Sequence, residues 1–319
     1  MKLCRLLALM SLAAGSALAQ TGDDKTPIKI VVPYAAGGPS DVVTRVVARQ
    51  MGVSMGRPVV VDNKPGANGL IGMEQVARAA GDGRTLVMFS MGGSVINAAM
   101  RKSMPFDLKR DFTAVGNMVN MPQLFVVNPQ VPARTVQEFI RYAKTASQPP
   151  TFGSSGIGGS PHLLGELFQQ KHGITMTHVP YLGTGPATAA LVAGQIQCMF
   201  TEVPVLIQHV KAGKLRALAI GSEARDPLLP DVPTAREAGL GFAATNWFGL
   251  QVPASTPPAI VAELNRHLVA ALNDPATRKS LEEMGATPDP APAAAFNKLV
   301  SDDLEKWTAV VKNAGITVD

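Results

Sequence analysis

Three short stretches share a pattern suited to holding an anion. They are Tyr34-Ala-Ala-Gly-Gly-Pro39-Ser40-Asp41, Gly153-Ser-Ser-Gly-Ile-Gly-Gly-Ser160-Pro161 and Tyr181-Leu-Gly-Thr-Gly185-Pro186. Each leads from a strand-like run, through Gly or Ser, to a proline placed to open a helix. Proline suits a helix start because its missing N–H would have been unpaired there anyway. The glycines admit positive φ and let backbone come close to a ligand. Unpaired N–H groups and the positive end of the helix dipole then make an anion site. In the first loop the N–H groups of Gly37 and Gly38 and the Ser40 hydroxyl are expected to face the anion. A tight turn between strand and helix explains any one of these loops. Three of them, spread along the chain, favour a shared cleft.

Other chemistries lack their motifs. Gly156-Ile-Gly158-Gly159-Ser160-Pro161 has proline where a dinucleotide-binding turn needs its third glycine, and no Gly-x-x-x-x-Gly-Lys-Ser/Thr occurs. Gly153-Ser154-Ser155-Gly156 lacks the Gly-x-Ser-x-Gly spacing of a hydrolase elbow. The histidines at 162, 172, 178, 209 and 267 show no metal-binding spacing, so four are read as structural or surface residues. His162 follows the second loop directly and either faces the ligand or caps nearby backbone. No metal, cofactor or catalytic set is expected. Cys198 lies in an apolar run and reads as a buried free thiol.

The elements that must position these loops alternate regularly. Ile28 to Pro33, Val59 to Val61 and Thr85 to Phe89 read as strands, with helices over Ser40 to Met51 and Leu70 to Ala80 between them. Val115 to Asn128 is a longer extended stretch. A second series follows, with a helix from Thr135, strands near Thr151, Thr177 and Ile196, and another over Leu215 to Gly221. The tail returns to strand at Trp247 to Val252, with helices from Pro257-Pro258 to Asn273 and from about Ala293 to Asn313. Such alternation predicts an α/β fold with mostly parallel sheets. Two series with a late return predict two lobes, residues 20–121 with 226–319 and residues 122–225. Crossings are expected near Met121 to Val127 and Ser222 to Pro227, with the ligand cleft between the lobes.

The chain has 319 residues, 46% of them hydrophobic, enough for real cores. Lys2 and Arg5, the apolar run Leu6 to Ala14 and Ala17-Leu18-Ala19 form an export signal, with cleavage expected after Ala19 and the mature protein in the periplasm. Loss of Lys2 and Arg5 takes the formal charge from +5 to +3. The basic run Arg101 to Arg110 is interrupted by Asp107, so nucleic acid is not expected as a partner.

The stretches Ile30 to Gly83, Gly153 to Phe168, Thr177 to Gly194, Lys211 to Ala219 and Trp247 to Leu272 strongly resemble the Bug-type (TctC-like) extracytoplasmic receptors of tripartite tricarboxylate transporters. The resemblance implies a two-lobed periplasmic binding protein, a Venus flytrap of type II-like form, closing on a small mono- or dicarboxylate. It implies permease subunits as partners and a monomeric receptor. The implied ligand residues are Tyr34, Ala36, Gly37, Gly38, Ser40 and Asp41 in the first loop, with Ser90 at a strand end. The second loop supplies Ser154, Ser155, Gly156, Gly158, Ser160 and His162. Tyr181, Gly183, Thr184 and Gly185 come from the third loop, and Thr201 from the strand near Ile196. Many members carry an acidic residue within the segment matching Gln197 to Thr201, where this chain has none before Glu202. That departure weighs against an α-amino acid ligand.

Two other functions stand beside this one. A ligand sensor feeding a signalling partner would share every feature above. A secreted serine hydrolase would need His162 and a loop serine as its working pair, and no motif supports one.

Overall fold

A computed structural model describes residues 26–316. The export signal and its cleavage point lie outside the described residues. The first series runs β1 (Ile28–Val32), α1 (Pro39–Met55), β2 (Val59–Asn63), α2 (Leu70–Ala77) and β3 (Thr85–Ser90). A single wide turn of π-helix over Met91–Ile96 then leads into α3 (Asn97–Met100). The strand β4 (Phe112–Val127) opens the second series, α4 (Val136–Thr145), β5 (Thr151–Ser154), α5 (Ser160–His172), β6 (Thr177–Pro180) and α6 (Thr184–Val192). It continues with β7 (Cys198–Glu202), α7 (Val203–Lys211) and β8 (Arg216–Ile220). The return comprises β9 (Thr245–Pro253), α8 (Pro258–Asn273), α9 (Pro275–Glu283), β10 (Thr287–Pro288) and α10 (Ala293–Ala314).

The strand order is β2-β1-β3-β9-β4-β7-β5-β6, with β8 and β10 also pairing β4. β1 runs parallel to β2 and β3, and β5 parallel to β6 and β7, while β9 and β4 run antiparallel to their neighbours. Helices cover both faces of β1, which is why Ile28, Ile30, Val31 and Val32 are all buried and its sequence reads as nearly unbroken apolar.

β4 is the spine. From Phe112 to Pro122 it pairs with β9; from Gln123 to Val127 it pairs with β7, and from Leu124 to Val127 with β8. The partners of β4 thus change at Pro122–Gln123. Beyond β8 the chain stays close to the same strand. Leu229 and Val232 pack with Leu124 and Ile220 in the second-lobe core, and Ala244 reaches β4 by accepting the Gln123 N–H at 2.8 Å. Gly221 donates to the Gln123 carbonyl at 2.9 Å, and any Cβ on it would collide with the Ala244 backbone. Only glycine fits where the two crossings touch.

One apolar core fills the space around α1 and α8, and a second the space around α6 and α7. The third is continuous through both lobes, from Val31 and Phe89 to Phe125, Phe152 and Phe168. α10 lies along this third core. Its Trp307 and Val310 are buried there, its Asp303 accepts from Trp247 Nε1 at 2.7 Å, and the Val310 carbonyl accepts from Gln170 of α5 at 3.1 Å.

Candidate ligand site

The first loop is built by Asp41, whose carboxylate is buried one turn into α1. It accepts the Gly37 N–H at 2.8 Å, Arg45 Nε at 3.0 Å and Asn63 Nδ2 at 2.9 Å. Burial alone would push this carboxyl up; the bonds from Arg45, Gly37 and Asn63 outweigh it and hold Asp41 below the usual carboxylate range. Asn63 also donates to the Tyr34 carbonyl at 3.0 Å. Two expectations change as a result. The Gly37 N–H serves Asp41, not an external anion, and its φ of +83° is the left-handed conformation that needs glycine. Gly38 sits at φ −78°, ψ 168°, an ordinary N-cap of extended conformation. Ala36, Gly38 and Ser40 keep backbone N–H groups without an acceptor among the described residues. Pro39 and Pro161 occupy the first turns of α1 and α5 as expected, whereas Pro186 is the third residue of α6.

Tyr34 joins this loop to the next strand. Its hydroxyl bonds Ser90 Oγ at 2.7 Å, and Ser90 Oγ caps the π-turn by accepting the Gly93 N–H at 3.1 Å. Burial raises the phenol's pKa, with the Ser90 bond opposing, so it stays protonated. The same turn reaches the second lobe. A Cβ on Gly92 would lie 3.8 Å from the Ser160 backbone nitrogen, and one on Gly158 would collide with Met100 of α3. Tyr34, Ser90, Gly92 and Ser160 thus stand in contact order across the gap between lobes. Ser160 Oγ accepts Gln123 Nε2 at 2.7 Å, which ties the start of α5 to the point where β4 changes lobe.

The second loop contains three glycines in four positions and is held by two histidines. His162 Nδ1 accepts the Gly158 N–H at 3.1 Å, so of its two expected roles it takes the backbone one. His178, on β6, bonds Ser154 Oγ at 2.6 Å through Nε2. The two rings stack with centroids 3.9 Å apart, and Phe152 stacks beside them, 4.8 Å from His178 and 6.3 Å from His162. Burial, then the neighbouring His178, takes His162 down to about 3, and burial takes His178 down to about 4. Ser154 Oγ donates to the Gly156 carbonyl at 3.0 Å and accepts the Gly156 N–H at 3.2 Å. Ser154 is fully buried and held between His178 and the Gly156 backbone.

The third loop docks on the second. The Tyr181 N–H donates to the Ser154 carbonyl at 3.0 Å, and a Cβ on Gly156 would sit 3.6 Å from the Tyr181 carbonyl. Gly183 adopts φ +112° ahead of Thr184 and Gly185, which open α6. Thr201 is buried with its hydroxyl donating to Glu202 at 2.9 Å, and Asn246 of β9 donates to the other Glu202 oxygen at 3.3 Å. Glu202 therefore links the lobes at the crossing. Gln123, His178 and Gly92 were not singled out from sequence. An amide among the apolar residues of the second half of β4, Met121 to Val127, was the available signal for Gln123. His178 had none, because its partner lies 24 residues away on a neighbouring strand.

Two α/β lobes joined by paired strands, with helix N-termini meeting in the gap, define a periplasmic binding protein. Residues 43–316 match the model of the tripartite tricarboxylate transporter family receptor, and the chain belongs to that family. It is 34% identical to Protein BugT of Bordetella pertussis, over 99% of both chains. Its structure resembles an adipate-bound R. palustris protein (TM-score 0.79, 31% identity, 92% of this chain and 98% of that one). It also resembles MatC from Rhodopseudomonas palustris with bound malate (TM-score 0.76, 34% identity, 89% and 98%). The family consists of solute-binding receptors. No helix among the described residues is long and apolar enough to cross a membrane.

Proposed function

We propose that this receptor captures a small mono- or dicarboxylate between its lobes, chiefly through backbone N–H groups at helix starts, and delivers it to the permease of a tripartite tricarboxylate transporter. The observation that supports the reading is that the π-turn at Gly92, tied to the first loop through Ser90 and Tyr34, lies beside the start of α5 at Ser160. The adipate and malate held by its structural relatives support the ligand class. Four to six hydrogen bonds to a carboxylate, at about 1.5–3 kcal/mol each, offset association costs of roughly 4–15 kcal/mol. Micromolar binding then needs no arginine clamp.

A thermal-shift screen of mono-, di- and tricarboxylates, phosphates and neutral sugars tests this, because a ligand that binds only the folded state raises its melting temperature. Shifts are expected among the carboxylates alone. Best binding by a sugar or a phosphate would overturn the reading.

A further inference from the structure

We propose that His162 and His178 are the positioning pair of the second loop, two stacked neutral rings that lock Gly156 and Gly158 and leave other N–H groups of the loop for a carboxylate. The inference rests on the carboxylate reading above for what the loop holds, and on the ring geometry for how the loop is held.

The loop cannot hold itself. Gly156 at φ +128° and Gly158 at φ +79° occupy conformations that an unsupported chain would leave readily. Each is caught by one ring. His162 takes the Gly158 N–H directly, and His178 fixes Ser154, which takes both the N–H and the carbonyl of Gly156. The Gly159 N–H is spent on the Gly156 carbonyl at 3.4 Å. Ser155, Ile157 and Ser160 then keep N–H groups with no acceptor among the described residues. The histidines thus decide which donors the loop offers.

The arrangement requires neutral rings. His162 Nδ1 is an acceptor, so a proton there would set two donors against each other at Gly158. Charge on both rings would place two cations face to face at 3.9 Å. Phe152 and Ser154 of β5 and Glu166 of α5 surround the pair. Glu166 Oε1 stands 3.6 Å from His162 Nε2 and is the one carboxylate within 4 Å of either ring among the described residues. Burial raises the Glu166 pKa, with a bond to Gln169 opposing, so it favours its own neutral form over drawing a proton onto the ring. An anion-binding loop has here been built on histidines that do not lend it their charge.

The test uses the mature protein with adipate and malate as probes. Nitrogen NMR of the rings should show both histidines neutral down to pH 5, His162 protonated at Nε2, with the Gly158 amide protected from exchange. His162→Asn places Oδ1 where Nδ1 was, and the side-chain amide of His178→Gln can still bond Ser154; both should keep binding within about threefold. His162→Leu and His178→Phe should unprotect the glycine amides and weaken binding at least tenfold while the fold survives by circular dichroism. Rings that titrate near 6.5, an unprotected Gly158 amide, or unchanged binding in the Leu and Phe variants would overturn the proposal. Should those two variants fail to fold, the ring titration and the Asn and Gln variants decide it. If the rings behave as described and neither probe nor any other acid binds, the carboxylate reading fails and the positioning of the loop stands.

Discussion

Neighbouring glycines in the first loop do different work. Gly37 holds φ +83° with nothing within 4 Å of a Cβ, so Gly37→Val meets strain without a clash. Left-handed backbone costs such a residue roughly 1–3 kcal/mol, which urea titration would read as lost stability. Gly38→Val meets no strain, since a Cβ there lies 3.7 Å from the Ala35 carbonyl oxygen in an ordinary conformation. Its stability should hold while binding falls about tenfold, equal to about 1.4 kcal/mol, because the side chain crowds an N–H meant for the ligand. Lys64→Ala is the control. Lys64 is half-exposed and pairs with Asp62 at 3.5 Å. Normal binding by Gly38→Val with lost binding by Lys64→Ala would mean that a side-chain charge holds the anion. The stacked histidines make a second residue-scale prediction. Their folded pKa values, about 3 and about 4, lie below the ordinary 6.5, so between these limits the unfolded chain binds more protons. Stability should be level above pH 7 and fall as pH drops from about 6.5 toward 4. A chain equally stable at pH 5 and pH 7 would contradict the ring environment described here.

At the scale of elements, strand β5 and helix α5 carry the second loop between them, and Gly165 sets their distance. A Cβ there would enter the Phe152 ring, which in turn stacks on His178. Gly165→Ala should therefore cost about 1–3 kcal/mol, as overpacking does, and weaken ligand binding although the site is more than a turn away. Unchanged binding would disconnect Phe152 from the loop. Sequence disclosed these elements unevenly, for physical reasons. Pro39 and Pro161 marked helix starts because proline's fixed φ and missing N–H act locally. The long apolar β4 was legible for the same local reason. α7 went unseen because Val203 to Val210 continues the apolar run of β7, and only the register of β7 on β4 ends the strand at Glu202. The π-turn depends on Tyr34 and Ser90 meeting across 56 residues, a tertiary contact with no spacing signal. The site was legible as loops. Which N–H groups stay unspent within them was not, because that depends on Asp41 and on two histidines packed from elsewhere.

The whole molecule has two lobes, each with an interior of its own, and a third interior that both share. The core that begins at Val31 and Phe89 continues to Phe152 and Phe168, so the lobes should melt together. Calorimetry should record a single transition, with ligand raising its midpoint; two resolved transitions would mean the shared core does not couple them. Closure on a ligand is expected to turn on the paired crossings at Gln123, Gly221 and Ala244, where backbone meets backbone and Gly221 has no room for a side chain. Small-angle scattering should then give a smaller radius of gyration with ligand than without.

α10 is in touch with both lobes and meets both of the chain's tryptophans. Trp307 is one of its own residues, with a buried Nε1 that has no partner among the described residues and Lys306 Nζ 4.7 Å from its ring centroid. Trp247 is pinned to its Asp303 and packs edge-on against Phe296 at 5.1 Å. A turn of α5 relative to the first lobe on ligand binding would shear this seam. The two tryptophans then become an optical gauge of closure built into the fold. Tryptophan emission that shifts in step with the rise in melting temperature would report closure without a label. Emission indifferent to a saturating ligand would place the moving parts elsewhere than along α10.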